Sequence, residues 1–160
     1  MREKKLVQRR LGERVGIALL LPVILPLIVV FLTLLWLNRL LTYLLIWFIW
    51  IPGGRNALVV YSDSPIWRDY MLRKVVPLLK ERAVLLNWSE RRQWPKWSFT
   101  THIFRSFRGQ GEFNPMVVVF RPFRAAKSFR FWSAFKGWKH GETHEVERLR
   151  QELDLYIENR

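Results

Sequence analysis

Along this chain the apolar positions form one long block and then several short ones. From Val15 to Ile51 the sequence reads VGIALLLPVILPLIVVFLTLLWLNRLLTYLLIWFIWI, broken among strongly polar residues only by Asn38 and Arg39. Residues 16–37 exceed the roughly 20 residues that a helix needs to cross a hydrocarbon core, which predicts a transmembrane span. A cleaved signal peptide fits poorly, because the run is longer than an h-region and no A-x-A-like site follows it. The remainder, LLTYLLIWFIWI at 40–51, carries Trp and Tyr, which settle at headgroup depth, and Arg39 can snorkel to the same boundary. This second segment is expected at the interface. A rival division makes Pro22 and Pro26 the apex of a re-entrant hairpin that never crosses. PGGRN at 52–56 then breaks the chain. The expected organisation is a basic leader at 1–14, a transmembrane and interfacial anchor at 15–51 and a soluble domain at 52–160.

Beyond Asn56 the pattern becomes globular. NALVVYS is a short, nearly continuous apolar run bounded by Gly and Ser/Asp, as a buried strand requires. Ser64 and Pro65 predict a helix start, Ser as N-cap and Pro at the first helical position. Apolar residues from Ile66 to Leu79 supply one broad face, and Pro77 inside it predicts a kink. AVLLNW at 83–88 reads as a second buried strand, which completes a right-handed βαβ unit. WSFTTHIFRSF at 97–107 predicts a short aromatic helix, MVVVF at 116–120 a third strand, and SFRFWSAF at 128–135 a fourth that pairs with it as a hairpin. Thr143 then caps a last helix faced by Val146, Leu149, Leu153, Tyr156 and Ile157.

The order β-α-β, short helix, β-hairpin, helix resembles the thioredoxin-like fold over roughly Asn56 to Asn159. Two prolines sharpen the resemblance. Pro115 in FNPMVVVF stands where that family keeps a cis-proline before its third strand, and Pro77 in KVVPLLKER matches the kink proline of its first major helix. The resemblance implies an α/β domain with a four-stranded mixed sheet behind an N-terminal transmembrane helix. The family's dithiol motif falls on Ser64 to Trp67 counted from the strand, or on Asp69 to Leu72 counted from Pro77. Neither window holds a thiol, since the chain has no cysteine. The resemblance therefore implies a redox-silent module for binding or assembly, not an enzyme, with Ser64 and Pro65 kept as helix-starting chemistry at a vestigial turn.

Composition narrows the partners. Without cysteine the chain has no disulfide, thiolate metal site or thiol nucleophile. The net charge is +14, with six Lys/Arg in the first fourteen residues and twenty against eleven Asp/Glu after residue 54. Such an excess favours anionic partners. It is concentrated at FRPFRAAKSFRFWSAFKGWKH (120–140), where Arg121, Arg124, Lys127, Arg130, Lys136 and Lys139 alternate with aromatics. This stretch suits an edge hairpin with core aromatics and solvated cations, contact with anionic lipid, or base stacking on nucleic acid. The apolar anchor ranks lipid above nucleic acid, so the expected partners are the bilayer and a protein in the same membrane or envelope.

The remaining constellations carry little chemistry. His140, Glu142 and His144 have too little shared geometry for a metal site if Thr143 begins the helix, and His102 would have to converge from elsewhere. No cofactor is expected. Ser62, Asp63, Ser64, Asp69 and His102 lack the glycines of a nucleophile elbow, and RGQGEF at 108–113 lacks the helix and lysine of a phosphate loop. Asn87-Trp88-Ser89 fits a glycosylation triplet at a strand end. An enzyme of unknown chemistry would use the cleft between Ser64 and Pro115. Lys/Arg counts on either side of the span favour a cytoplasmic N-terminus and an exported domain, whereas the hairpin division leaves both ends cytoplasmic.

Overall fold

The computed structural model describes the backbone of residues 2–111, 113–138, 140–141 and 143–159, with side chains for Pro22 and from Ile24 onward within those limits. The charged side chains of the leader, Lys139 and Glu142 lie outside the described residues. The chain forms two compact units, Met1–Leu41 and Thr42–Arg160.

The apolar block forms a single helix, α1 (Arg2–Leu45), followed by a π-helical turn at Ile46–Trp50. Pro22 and Pro26 lie inside α1, so they are not the apex of a hairpin. Thr33, the polar residue in its middle, returns its hydroxyl to the Val29 carbonyl at 2.8 Å, leaving no donor to lipid. Among the described residues Ile24–Trp50 is the helix long and apolar enough to cross a membrane. Most side chains of 16–23 lie outside the described residues; from Ile24 the stretch overlaps the expected span 16–37 and runs on through most of the segment 40–51.

In the second unit, β1 (Ala57–Tyr61), β2 (Ala83–Asn87), β3 (Met116–Val119) and β4 (Lys127–Arg130) form a mixed sheet in the order β2-β1-β3-β4. β1 pairs parallel with β2 and antiparallel with β3, and β3 pairs antiparallel with β4. The central pair is apolar without alternation because both of its faces are covered. On one face Val59, Val117 and Phe129 meet Trp67 and Tyr70 of α2 (Pro65–Tyr70), Phe135 of α4 (Trp132–Trp138), and Val146 and Leu153 of α5 (His144–Glu158). On the other, Leu58, Val60, Val118 and Phe120 meet Ile103, Phe104 and Phe107 of α3 (Phe99–Phe107) together with Ile46 and Trp50.

Three local expectations are corrected. The fourth strand ends at Arg130 and residues 132–138 are α4. The alternation of Phe129, Phe131 and Phe135 fits a strand, but burial of Phe131, Ala134 and Phe135 beside exposed Trp132 follows the helical period, and the Phe135 N–H donates to the Phe131 carbonyl at 2.9 Å. Ser64 and Thr143 stand at N-cap positions, yet neither hydroxyl makes a capping bond. The kink expected at Pro77 takes the form of a change of helix type. After α2 the chain widens into a π-turn at Met71–Val75 and tightens into a 3-10 turn at Val76–Leu79, where Pro77 has no N–H to keep an α ladder.

Candidate functional site

At the carboxyl ends of the parallel strands, the location that ligands favour in α/β sheets, the polar side chains bind one another. Both Asp63 carboxylate oxygens accept from the Asn87 amide, at 3.0 and 3.1 Å, which ties the end of β1 to the end of β2. Asn87 also donates to Glu90 at 3.1 Å and accepts the Ser89 N–H at 3.0 Å, while the Asp63 N–H donates to the Ser89 hydroxyl at 3.0 Å. Arg68 stands 3.6 Å from Asp63. Ser64 contributes backbone: its carbonyl accepts the Arg68 N–H at 2.9 Å, and Pro65 occupies the first turn of α2. The turn is thus held by Asp63, Asn87 and Ser89, with no histidine among these partners.

The other groups weighed for chemistry are dispersed. Asp69 pairs with Arg73 at 3.4 Å. His102 Nε2 lies 2.9 Å from the hydroxyl of buried Thr42. His140 and His144 are exposed, and no group of three metal-ligating side chains occurs among the described residues. Pro115 is buried behind a cis Asn114–Pro115 peptide, and its carbonyl accepts the Phe131 N–H at 3.0 Å. Between α2 and α5, the Tyr70 hydroxyl donates to Glu147 at 3.1 Å and Arg150 donates to the same carboxylate at 2.8 Å. Burial, then the bond to Glu147, pushes the Tyr70 phenol upward. The Arg150 guanidinium, followed by the Tyr70 hydroxyl, holds Glu147 below the usual carboxylate range against the opposing effect of burial. This triad bridges two helices and has no third group poised for proton transfer.

Of the six cations of 120–140, the five among the described residues do not form one stripe. Arg121 donates to the Tyr156 carbonyl and lies over that ring at 3.8 Å. Lys127 pairs with Glu152 at 2.9 Å, Arg130 donates to the Gly111 carbonyl at 2.9 Å, and Lys136 stands 5.3 Å over Trp132. Arg124 is exposed, with no side-chain ion pair among the described residues. Most aromatics of the same stretch, Phe120, Phe129, Phe131 and Phe135, are core. Trp132 is exposed, and Phe123 is more so. It is 72 % exposed, and its ring meets Trp47 at 5.3 Å and Phe48 at 6.2 Å. With Phe48 (64 % exposed), Ile49 (61 %) and Leu45 it gives the second unit an open apolar patch.

A concavity lies at the opposite end of the sheet. It is a groove of ≈ 1110 Å³ between the turn after Leu79, the loop after β3 and the last turns of α5. Leu78, Phe120, Pro122 and Ile157 line it, and Lys80, Arg82 and Arg124 contribute cations. Sequence reasoning reached only Arg121 and Arg124 of this site, because its residues come from four separate elements and carry no motif. It also missed the Asp63–Asn87 tie, which no spacing rule announces. No family model matches the chain, no curated protein matches it, and no solved structure matches it.

Proposed function

We propose that this chain is a membrane-anchored, redox-silent thioredoxin-like domain that serves as a binding and assembly module at the bilayer surface. The observation that carries the membrane half is the patch of Leu45, Phe48, Ile49 and Phe123 on the domain itself. Three of these residues belong to the apolar stretch Ile24–Trp50, and the fourth comes from a loop distant in sequence. Exposed aromatic and aliphatic side chains grouped in this way favour the interfacial zone. The sheet order β2-β1-β3-β4, with one parallel and two antiparallel pairings, supports the thioredoxin-like reading. Mutual engagement of Asp63, Asn87 and Ser89 supports a structural turn over a reactive one.

In this reading the helix crosses once with its basic N-terminus on the cytoplasmic side. Its protein partner shares the membrane. Photo-crosslinking groups placed at exposed positions of the domain, such as Arg68, Leu85 and Trp97, in native membranes test it. A discrete protein adduct from at least one position is expected, and the chain should stay in the pellet after carbonate extraction. Recovery of the intact chain in the soluble fraction would remove the membrane reading. Absence of any site-dependent adduct would remove the assembly reading.

A further inference from the structure

We infer that the groove at the base of the sheet is a binding site for one acidic phospholipid, an inference that rests on the membrane reading above. The walls are apolar where a chain would lie: Leu78, Phe120, Pro122 and Ile157. Lys80, Arg82 and Arg124 are exposed at the rim and have no side-chain ion pair among the described residues. A fourth cation, Arg121, is occupied by Tyr156. Asp154 and Glu158, near the C-terminal end of α5, also line the groove. Acidic side chains and the negative end of that helix repel a phosphate there and leave the three free cations as its seat. The volume, ≈ 1110 Å³, is at the upper edge of ligand pockets, which run to about 1,000 Å³.

Two further observations point to the same place. Ile51, which lines the groove, follows the apolar stretch ending at Trp50, and Pro122 and Arg124 flank Phe123 of the exposed apolar patch. The groove's lining is therefore adjacent along the chain to the surface proposed to meet lipid. In addition, Lys80 (φ 47°), Glu81 (φ 60°) and Phe123 (φ 55°) are the non-glycine residues with positive φ among the described residues. All three are groove-lining residues or immediate chain neighbours of them. Left-handed conformations at residues with side chains cluster where the surrounding structure needs an unusual backbone for function.

The test uses the full chain, purified in detergent after exposure to phosphatidylcholine vesicles doped with phosphatidylglycerol, and reads bound lipid by native mass spectrometry. One phosphatidylglycerol retained per chain is expected, with phosphatidylcholine displaced by it. The Lys80→Gln/Arg82→Gln/Arg124→Gln variant should retain it about tenfold less well or worse, the scale of losing a charge-assisted contact. Arg91→Gln/Arg92→Gln/Lys96→Gln removes equal charge from exposed positions outside the groove and should retain lipid as the parent does. Circular dichroism of each variant confirms that the fold is intact. Equal loss in both variants, or indifference to headgroup charge, would overturn the inference in favour of general surface electrostatics. Displacement of the lipid by inorganic phosphate alone would overturn it in favour of a soluble anion site. Carbonate extraction of the same variants separates the readings: a pelleted chain without bound lipid sinks this inference only, and a soluble chain sinks the membrane reading beneath it.

Discussion

One face of the sheet is closed by α2, α4 and α5, all from sequence with ordinary globular patterning. The other is closed by α3 and by Ile46 and Trp50, from a stretch long and apolar enough to cross a membrane. The two clusters are built alike. Trp67 stacks on Phe135 at 4.1 Å on the first face, and Trp50 meets Phe120 edge-on at 5.5 Å on the second. What differs is the reverse side of the covering helix. α5 turns charged residues outward, including Arg148 and Glu145, which pair at 2.6 Å. The helical turn at Ile46–Trp50 turns Phe48 and Ile49 outward while Ile46 and Trp50 are 0 % and 4 % exposed. An apolar residue in this stretch is therefore core or exposed by its angular position, not by its type.

The strongest way to break this comparison is to delete the second face's cover. A chain beginning at Pro52 lacks Ile46 and Trp50, whose loss costs about 3 kcal/mol or more each out of a typical total of about 5–15 kcal/mol. Cooperative urea unfolding and near-UV dichroism should be lost. A sharp transition at the parent midpoint would show that the anchor is not part of the core. Next in size are single truncations in the full chain. Trp50→Ala and, on the other face, Phe135→Ala should each destabilise by about 3–5 kcal/mol, whereas Phe48→Ala should stay within about 0.5 kcal/mol. Chemical unfolding in mild detergent measures all three, and a Phe48 effect matching that of Trp50 would erase the distinction between core and exposed sides.

A smaller effect tests the polar tie on the second face. Thr42→Val removes the hydroxyl bonded to His102 and should cost about 1 kcal/mol, the net worth of a hydrogen bond. A double-mutant cycle with His102→Ala should recover a coupling of similar size, and zero coupling would mean that the contact is incidental. The smallest effect belongs to the first face. Glu147 is held below its ordinary value of 4.5 chiefly by Arg150, so its contribution is full above that pH and falls away as acid protonates the folded carboxylate. The group is 44 % exposed, and solvent screening limits the contribution to less than about 1 kcal/mol. Glu147→Gln should flatten the stability profile below pH 4.5 by that amount. An unchanged acid limb would assign the limb to other carboxylates.

The sequence alone was sufficient for the long apolar helix, the three apolar strands and the absence of thiols, because each depends on residue type over a short window. ALVVY, AVLLN and MVVV are continuous apolar runs of strand length, and β1, β2 and β3 occupy them. Where a run admitted two periods, local pattern failed. Phe129, Phe131 and Phe135 satisfy a strand until Ala134 is seen to be buried and Trp132 exposed, which only packing against α2 and α5 decides. Ile46 and Trp50 belong by composition to the long apolar stretch, yet the second face of the sheet needs a cover and they supply it. The groove lay furthest from reach. Lys80, Arg82, Arg124 and Ile157 become neighbours only when the end of α5 and two loops close over the base of the sheet. A binding surface made of long-range neighbours leaves no trace in spacing, because the distances that define it run through the fold and not along the chain.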